Sequence, residues 1–137
     1  MSKKHLVPWA ATAYFAVIFA LGFALGTLRV LWGAEALGET RFVLVEIPLM
    51  LAASWAAARW LTHRYRIRQG GRALAMGMAA FGLLMVAEIA LAAATGEGAL
   101  AWLASLARPP ALYGLLGQVG FALMPWLVVI SRGPAGR

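Results

Sequence analysis

Apolar residues along the chain fall into four long blocks parted by short polar or basic connections. The blocks cover about residues 7–31, 42–61, 73–94 and 112–130. Each has about the 20 residues that a helix needs to cross a hydrocarbon layer of about 30 Å. None shows the strict alternation of a membrane strand. The pattern therefore predicts an all-α fold, a four-transmembrane-helix bundle forming a single integral membrane domain over residues 1–137. The last connection predicts one element more. In "GEGALAWLASLARPPALYG" the stretch Ala99 to Ala107 suits a short interfacial helix with Leu100, Leu103 and Leu106 on one side, stopped by Pro109 and Pro110. Such a helix rests on the membrane surface or serves as a lid over something beneath it.

Composition strengthens this class. The chain is 63% hydrophobic and only 12% charged, with a mean hydropathy of +0.80, and 137 residues cannot hide that much apolar surface in a water-soluble core. The start "MSKKHL" with a later "AEA" at residues 34 to 36 imitates a cleavable secretion signal. Its apolar stretch exceeds the 7 to 15 residues of a signal core, and Arg29 and Trp32 intervene, so the first block is read as a retained span.

Charge then sets an expected orientation, because cytoplasmic connections collect Lys and Arg. Nine of the twelve basic residues fall on one side: Lys3, Lys4, Arg59, Arg64, Arg66, Arg68, Arg72, Arg132 and Arg137. Arg29, Arg41 and Arg108 fall on the other. Both termini are expected in the cytoplasm of a bacterial inner membrane, with outer connections at about residues 32–41 and 95–111. The net charge of +7 is thus a topology signal, and the run "THRYRIRQGGR" is read as touching anionic lipid through Arg64, Arg66, Arg68 and Arg72, without nucleic acid. Gly70 and Gly71 are expected to supply the turn into the third helix. Trp9, Trp32, Trp60, Tyr65, Trp102 and Tyr113 fall near helix ends, as interfacial anchors do.

Familiar catalytic and cofactor chemistries find no support. The chain has no cysteine and no Asp, and its two histidines, His5 and His63, lie outside the deep parts of the spans. Thiolate metal sites and thiol nucleophiles are excluded, membrane haem lacks its deep imidazole, and no Glu-x-x-His pair offers a di-iron site. Phosphate loops, nucleophile elbows and dinucleotide fingerprints are absent from the sequence. No cofactor, no metal and no enzymatic activity are expected.

What remains is a polar set within the spans: Arg29, Glu46, Glu88 and Gln118. Each predicted helix contributes one. At 1.5 Å per residue all four fall within roughly 3 to 9 Å of the same outer boundary. They lie on or beside small-residue faces: Gly22 and Gly26 stand before Arg29, Ala53 and Trp60 line up with Glu46, Ala80, Gly77 and Phe81 with Glu88, and Gly114 with Gln118. These faces are expected to meet inside the bundle, where Arg29 can pair with Glu46, Glu88 or both. An ionised group in mid-span costs about 2.5 to 3.5 kcal/mol, so such groups usually face protein or water and mark function. The set is either a clasp that fixes which helices meet, or a proton or ligand site with one carboxylate in excess of the arginine.

Two prolines bear on the same region. Pro48 follows Glu46 by two and frees the carbonyl of Leu44, unless it merely shapes the helix entry; Pro125 kinks the fourth helix more centrally. The pairs Glu46 with Pro48 and Gln118 with Pro125 hint at an internal repeat, but their spacings of two and seven differ.

Three function classes follow. In size and span number the chain is similar to the small multidrug-resistance exporters, which place a key glutamate in the first helix where this chain has Arg29. The order Arg41, Glu46, Pro48 resembles the second helix of the four-helix eicosanoid and glutathione enzymes, without that family's asparagine or its basic cofactor loop. Over the first two helices, "LGTLRVLW" and "VEIPLMLAASWAAARWL" resemble a group of uncharacterised small bacterial four-helix membrane proteins, a likeness that lends no function. The first expectation is an accessory or structural inner-membrane protein built round an Arg-Glu-Glu cluster. Proton-coupled transport through Glu46 and Glu88 is the alternative, and a glutathione-type membrane enzyme a third. The expected partners are the bilayer and its anionic lipids, with a homo-oligomer or larger membrane complex left open.

Overall fold

In a computed structural model, residues 3–133 are described, with side chains from Leu6 onward, so Arg137 and the side chains of Lys3 and Lys4 lie outside the described residues. Helix α1 (Lys3–Leu28) passes through a π-helical turn at Arg29–Gly33 into α2 (Ala34–Leu37). Then follow α3 (Glu39–Arg64), α4 (Gly70–Ala94), the short α5 (Ala99–Ser105) and α6 (Ala111–Ser131). Four helical stretches are long and apolar enough to cross a membrane: Leu6–Leu37, Glu39–Arg64, Gly70–Ala94 and Ala111–Ser131.

The first connection departs from expectation. Residues 32–41 are not a loop; helix continues to Leu37, breaks at Gly38 alone, and restarts at Glu39. The break needs φ of 88°, which glycine adopts without the steric cost of a Cβ. Gly38 N–H reaches the Ala34 carbonyl at 2.9 Å and its own carbonyl accepts from Phe42 at 3.0 Å, so few polar backbone groups are left open at the reversal.

The turn between α3 and α4 is also made differently. Arg66, with φ of 55°, takes the left-handed position instead of Gly70 or Gly71, which already belong to α4. Arg66 N–H donates to His63 O at 3.2 Å and Ile67 N–H to Thr62 O at 2.8 Å, the paired bonds that close a helix C-terminus. Ile67 is fully buried, and the apolar contact that it makes offsets the cost of a left-handed arginine. Gly70 begins α4 beside Trp126 and Ile130 of α6, where an added Cβ would make only ordinary contacts.

The long helices form a ring in which α1 packs on α3 and α4, and α6 packs on the same two. The sequential pair α3 and α4 thus stands on a diagonal. An axis along the bundle that related the two hairpins would put α1 opposite α4, and these are neighbours; the hinted repeat has no such symmetry. One close approach fixes the ring. A Cβ on Gly77 of α4 would run into the backbone carbonyl of Ala122 in α6, so only glycine lets these helices touch there.

The core occupies one end. Ala10, Ala11, Ala58, Leu61, Met76 and Val129 are at most 1% exposed, close to the 65–69 connection with its arginines. A second layer holds Tyr14 of α1 stacked on Phe121 of α6, ring centroids 4.4 Å apart. Pro125 explains its polar bond. Proline has no N–H for the carbonyl four residues back, and the Tyr14 hydroxyl donates to that carbonyl, Phe121 O, at 2.6 Å. Towards the other end, where α5 lies, the helices part.

A polar-lined cavity inside the bundle

The parting leaves a cavity of about 740 Å³ that all four expected polar residues line. Its floor is Ile18, Ser54 and Phe121, and Trp102 and Leu106, in and just after α5, line it from the opposite side. The small faces read from the sequence are what make room. Gly22, Gly26, Gly114 and Gly117 line the cavity; Gly26 and Gly114 leave open space, whereas Gly22 and Gly117 also pack against Met50 and Ile47 of α3.

The polar residues sit as two pairs. Arg29, at the start of the π-helical turn, reaches from α1's end to α3, its Nη1 2.9 Å from Glu46 Oε2, in a pair that is part-buried. Gln118 of α6 donates from Nε2 to Glu88 Oε1 of α4 at 2.6 Å. Arg29 also acts on Glu88 electrostatically, without a hydrogen bond between them. Three atoms are left over, and one of them, the Ser54 hydroxyl in the cavity floor, can donate as well as accept. Glu46 Oε1 and Gln118 Oε1 are buried and receive a hydrogen bond from no described residue. The carboxylate and amide oxygens are acceptors, and a buried acceptor without a donor costs about 1–3 kcal/mol.

The proline sites part company. Pro48 lies ten residues into α3, within the helix and not at its entry, and its side is exposed away from the cavity. Pro125 is buried below the cavity, where it acts through Tyr14 as described. Sequence reading missed Tyr14 and Phe121, whose only signal was the carbonyl that Pro125 must free, and Ser54, which carried no signal. It also missed Thr27, Thr95 and Glu97 at the cavity's edge.

The basic residues gather at the other end. Arg64, Arg66 and Arg68 are exposed, Arg64 lying over the Tyr65 ring at 5.8 Å, and Arg72 is half-buried in the first turns of α4. Arg132 ties α6 to α3, donating to Arg59 O at 2.9 Å and Thr62 Oγ1 at 2.8 Å. Burial, and then the neighbouring Arg59 charge, hold its guanidinium below the usual arginine pKa.

Among the described residues no group of three His, Cys, Asp or Glu side chains could hold a metal ion. The chain matches no protein-family model, no curated protein and no solved structure.

Proposed function

We propose that this is an inner-membrane protein of four spans, both termini in the cytoplasm, whose bundle binds a small ligand in the cavity around Arg29, Glu46, Glu88 and Gln118. The orientation rests on the arginines gathered round the 65–69 connection, which cytoplasmic faces collect. It puts α5 at the outer interface and the loop arginines against anionic lipid.

A single observation carries the binding reading. A clasp between helices needs its polar groups paired with one another, yet Glu46 Oε1 and Gln118 Oε1 are buried without a donor beside a cavity of about 740 Å³. Polar groups left open in a mostly apolar hollow are what a ligand site requires. Proton-linked transport through Glu46 and Glu88 is the second reading. It is favoured by a cavity that stops on the Tyr14, Ser54 and Phe121 layer and has no lining residue from the arginine end, as one state of an alternating carrier would.

Glu46→Gln and Glu88→Gln test the proposal against the clasp. Glutamine keeps an acceptor for Arg29 at one position and a partner for Gln118 at the other. Under the binding reading each variant purifies in mild detergent with wild-type melting behaviour. A loss of about 1–3 kcal/mol in both would assign the pairs to holding the bundle and would overturn the binding reading.

A further inference from the structure

The lining residues that are also exposed locate the cavity's mouth. Phe23 is 56% exposed, Val30 78%, Leu31 77% and Leu91 42%, and Thr27, Thr95 and Glu97 are exposed as well. Every one belongs to α1, its π-helical turn, α4 or the residues just after α4. The lining residues of α3 and α6, by contrast, are all buried or half-buried, from Glu46 to Ser54 on one and from Ala111 to Phe121 on the other. The cavity therefore opens through the seam between α1 and α4. Exposed phenylalanine, valine and leucine side chains frame that seam within two membrane-spanning stretches, so it faces hydrocarbon.

The missing partner has a definite chemistry. Of the three orphaned atoms, the oxygens of an ionised Glu46 and of the Gln118 amide, Oε1 in each, accept and cannot donate, and the Ser54 hydroxyl in the floor can accept too, so a partner that brings N–H or O–H groups suits all three. The charges along the wall are Arg29 against Glu46, Glu88 and Glu97, an acidic excess that favours a cation. A primary ammonium group has three donors, no acceptor and a positive charge. A quaternary ammonium has the charge without the donors, and an alcohol has a donor without the charge.

Resting on the binding reading above, we infer that the ligand is a bilayer amphiphile with a primary ammonium head, which enters sideways between α1 and α4. The head lies among Glu46, Glu88 and Gln118. Its chain passes out over Phe23, Leu31 and Leu91 into the lipid. The site thus draws its ligand from the membrane across the apolar residues of the mouth, with the polar Thr27, Thr95 and Glu97 also at its edge.

Photolabelling tests this on the intact protein in nanodiscs of phosphatidylcholine, a lipid without N–H donors. The probe is dodecylamine carrying a diazirine in its chain, with labelled residues mapped by mass spectrometry. Saturable labelling is expected at residues 23–31 and 91–95. Unlabelled dodecylamine should displace it, with dodecyltrimethylammonium and dodecanol each at least about tenfold weaker, because each lacks either the donors or the charge. Labelling spread evenly over the lipid-facing surface, or equal competition by the trimethylammonium compound, overturns the inference. The two failures are distinguishable: stable Glu46→Gln and Glu88→Gln variants without amine labelling leave a ligand site of other chemistry, whereas loss of stability in both removes the site itself.

Discussion

Gln118 donates to Glu88 across 2.6 Å, and so takes the carboxylate that the sequence offered to Arg29. The arginine is left with Glu46 at 2.9 Å, and the polar cluster divides into one pair between α1's end and α3 and another between α4 and α6. Both pairs join helices that are neighbours in the ring, and both face the same hollow.

The division makes Gln118 the group on which the Glu88 side depends. Gln118→Leu keeps the volume and removes the donor, leaving a half-buried carboxylate without its bond. A loss of about 1–3 kcal/mol is expected in thermal melts followed by circular dichroism. Glu88→Gln, which retains a hydrogen-bonding partner for Gln118, is expected to change little.

Gly77 is expected to be the least replaceable glycine. A single methyl there meets the Ala122 carbonyl, so Gly77→Ala must push α4 from α6 at a cost of about 1–3 kcal/mol. Gly82→Ala, five residues along the same helix and with nothing within 4 Å of the added carbon, is the control and should not destabilise. Side-by-side melting of the two variants in detergent checks this.

Tyr14→Phe isolates the bond that Pro125 makes necessary. The ring still stacks on Phe121, but the freed carbonyl loses its hydroxyl donor in a fully buried place. About 1–3 kcal/mol of stability should be lost. In the double variant with Pro125→Ala, the helix supplies its own N–H to that carbonyl, and the tyrosine substitution should cost less than it does alone; a double-mutant cycle reads the difference.

How much of this was open to reading in the sequence depends on which physical rule acts alone. Span number follows from apolar length, and all four helices lie where the blocks predicted, extended at most of their ends. Span ends are set by backbone bonds that hydropathy does not register. Gly38 breaks the helix later than the first polar residues suggest, and a left-handed Arg66 closes α3 where two glycines stood nearby to mislead. That rule was misapplied because the buried Ile67, which makes the arginine tolerable, looks like any other isoleucine in a basic loop.

The candidate site was legible in membership and illegible in pairing. Depth arithmetic brought Arg29, Glu46, Glu88 and Gln118 to one level, and they line one cavity. Which carboxylate meets the arginine depends on the order of helices round the ring, and the α1, α3, α6, α4 order is set by packing details such as Gly77 on Ala122. The cavity itself was hidden for a related reason. A stripe of glycines permits either close approach or open space; at this end Gly26 and Gly114 take the second course, while Gly22 and Gly117 lie against Met50 and Ile47. Tyr14 could have been found. Applying to Pro125 the rule used for Pro48 marks the Phe121 carbonyl as free, and a buried tyrosine is a fitting donor.

The central claim is that the bundle holds an open, acid-rich site at this level, and the absence of cysteine from the chain gives a clean way to probe it. Gly114 lines the cavity and has nothing within 4 Å of an added Cβ, so Gly114→Cys places one thiol inside without strain. In native protein this thiol should react readily with the cationic reagent methanethiosulfonate ethylammonium and more slowly with the anionic ethylsulfonate, and dodecylamine should protect it. A thiol that reacts with neither reagent until the protein is unfolded, or that prefers the anion, would contradict the account.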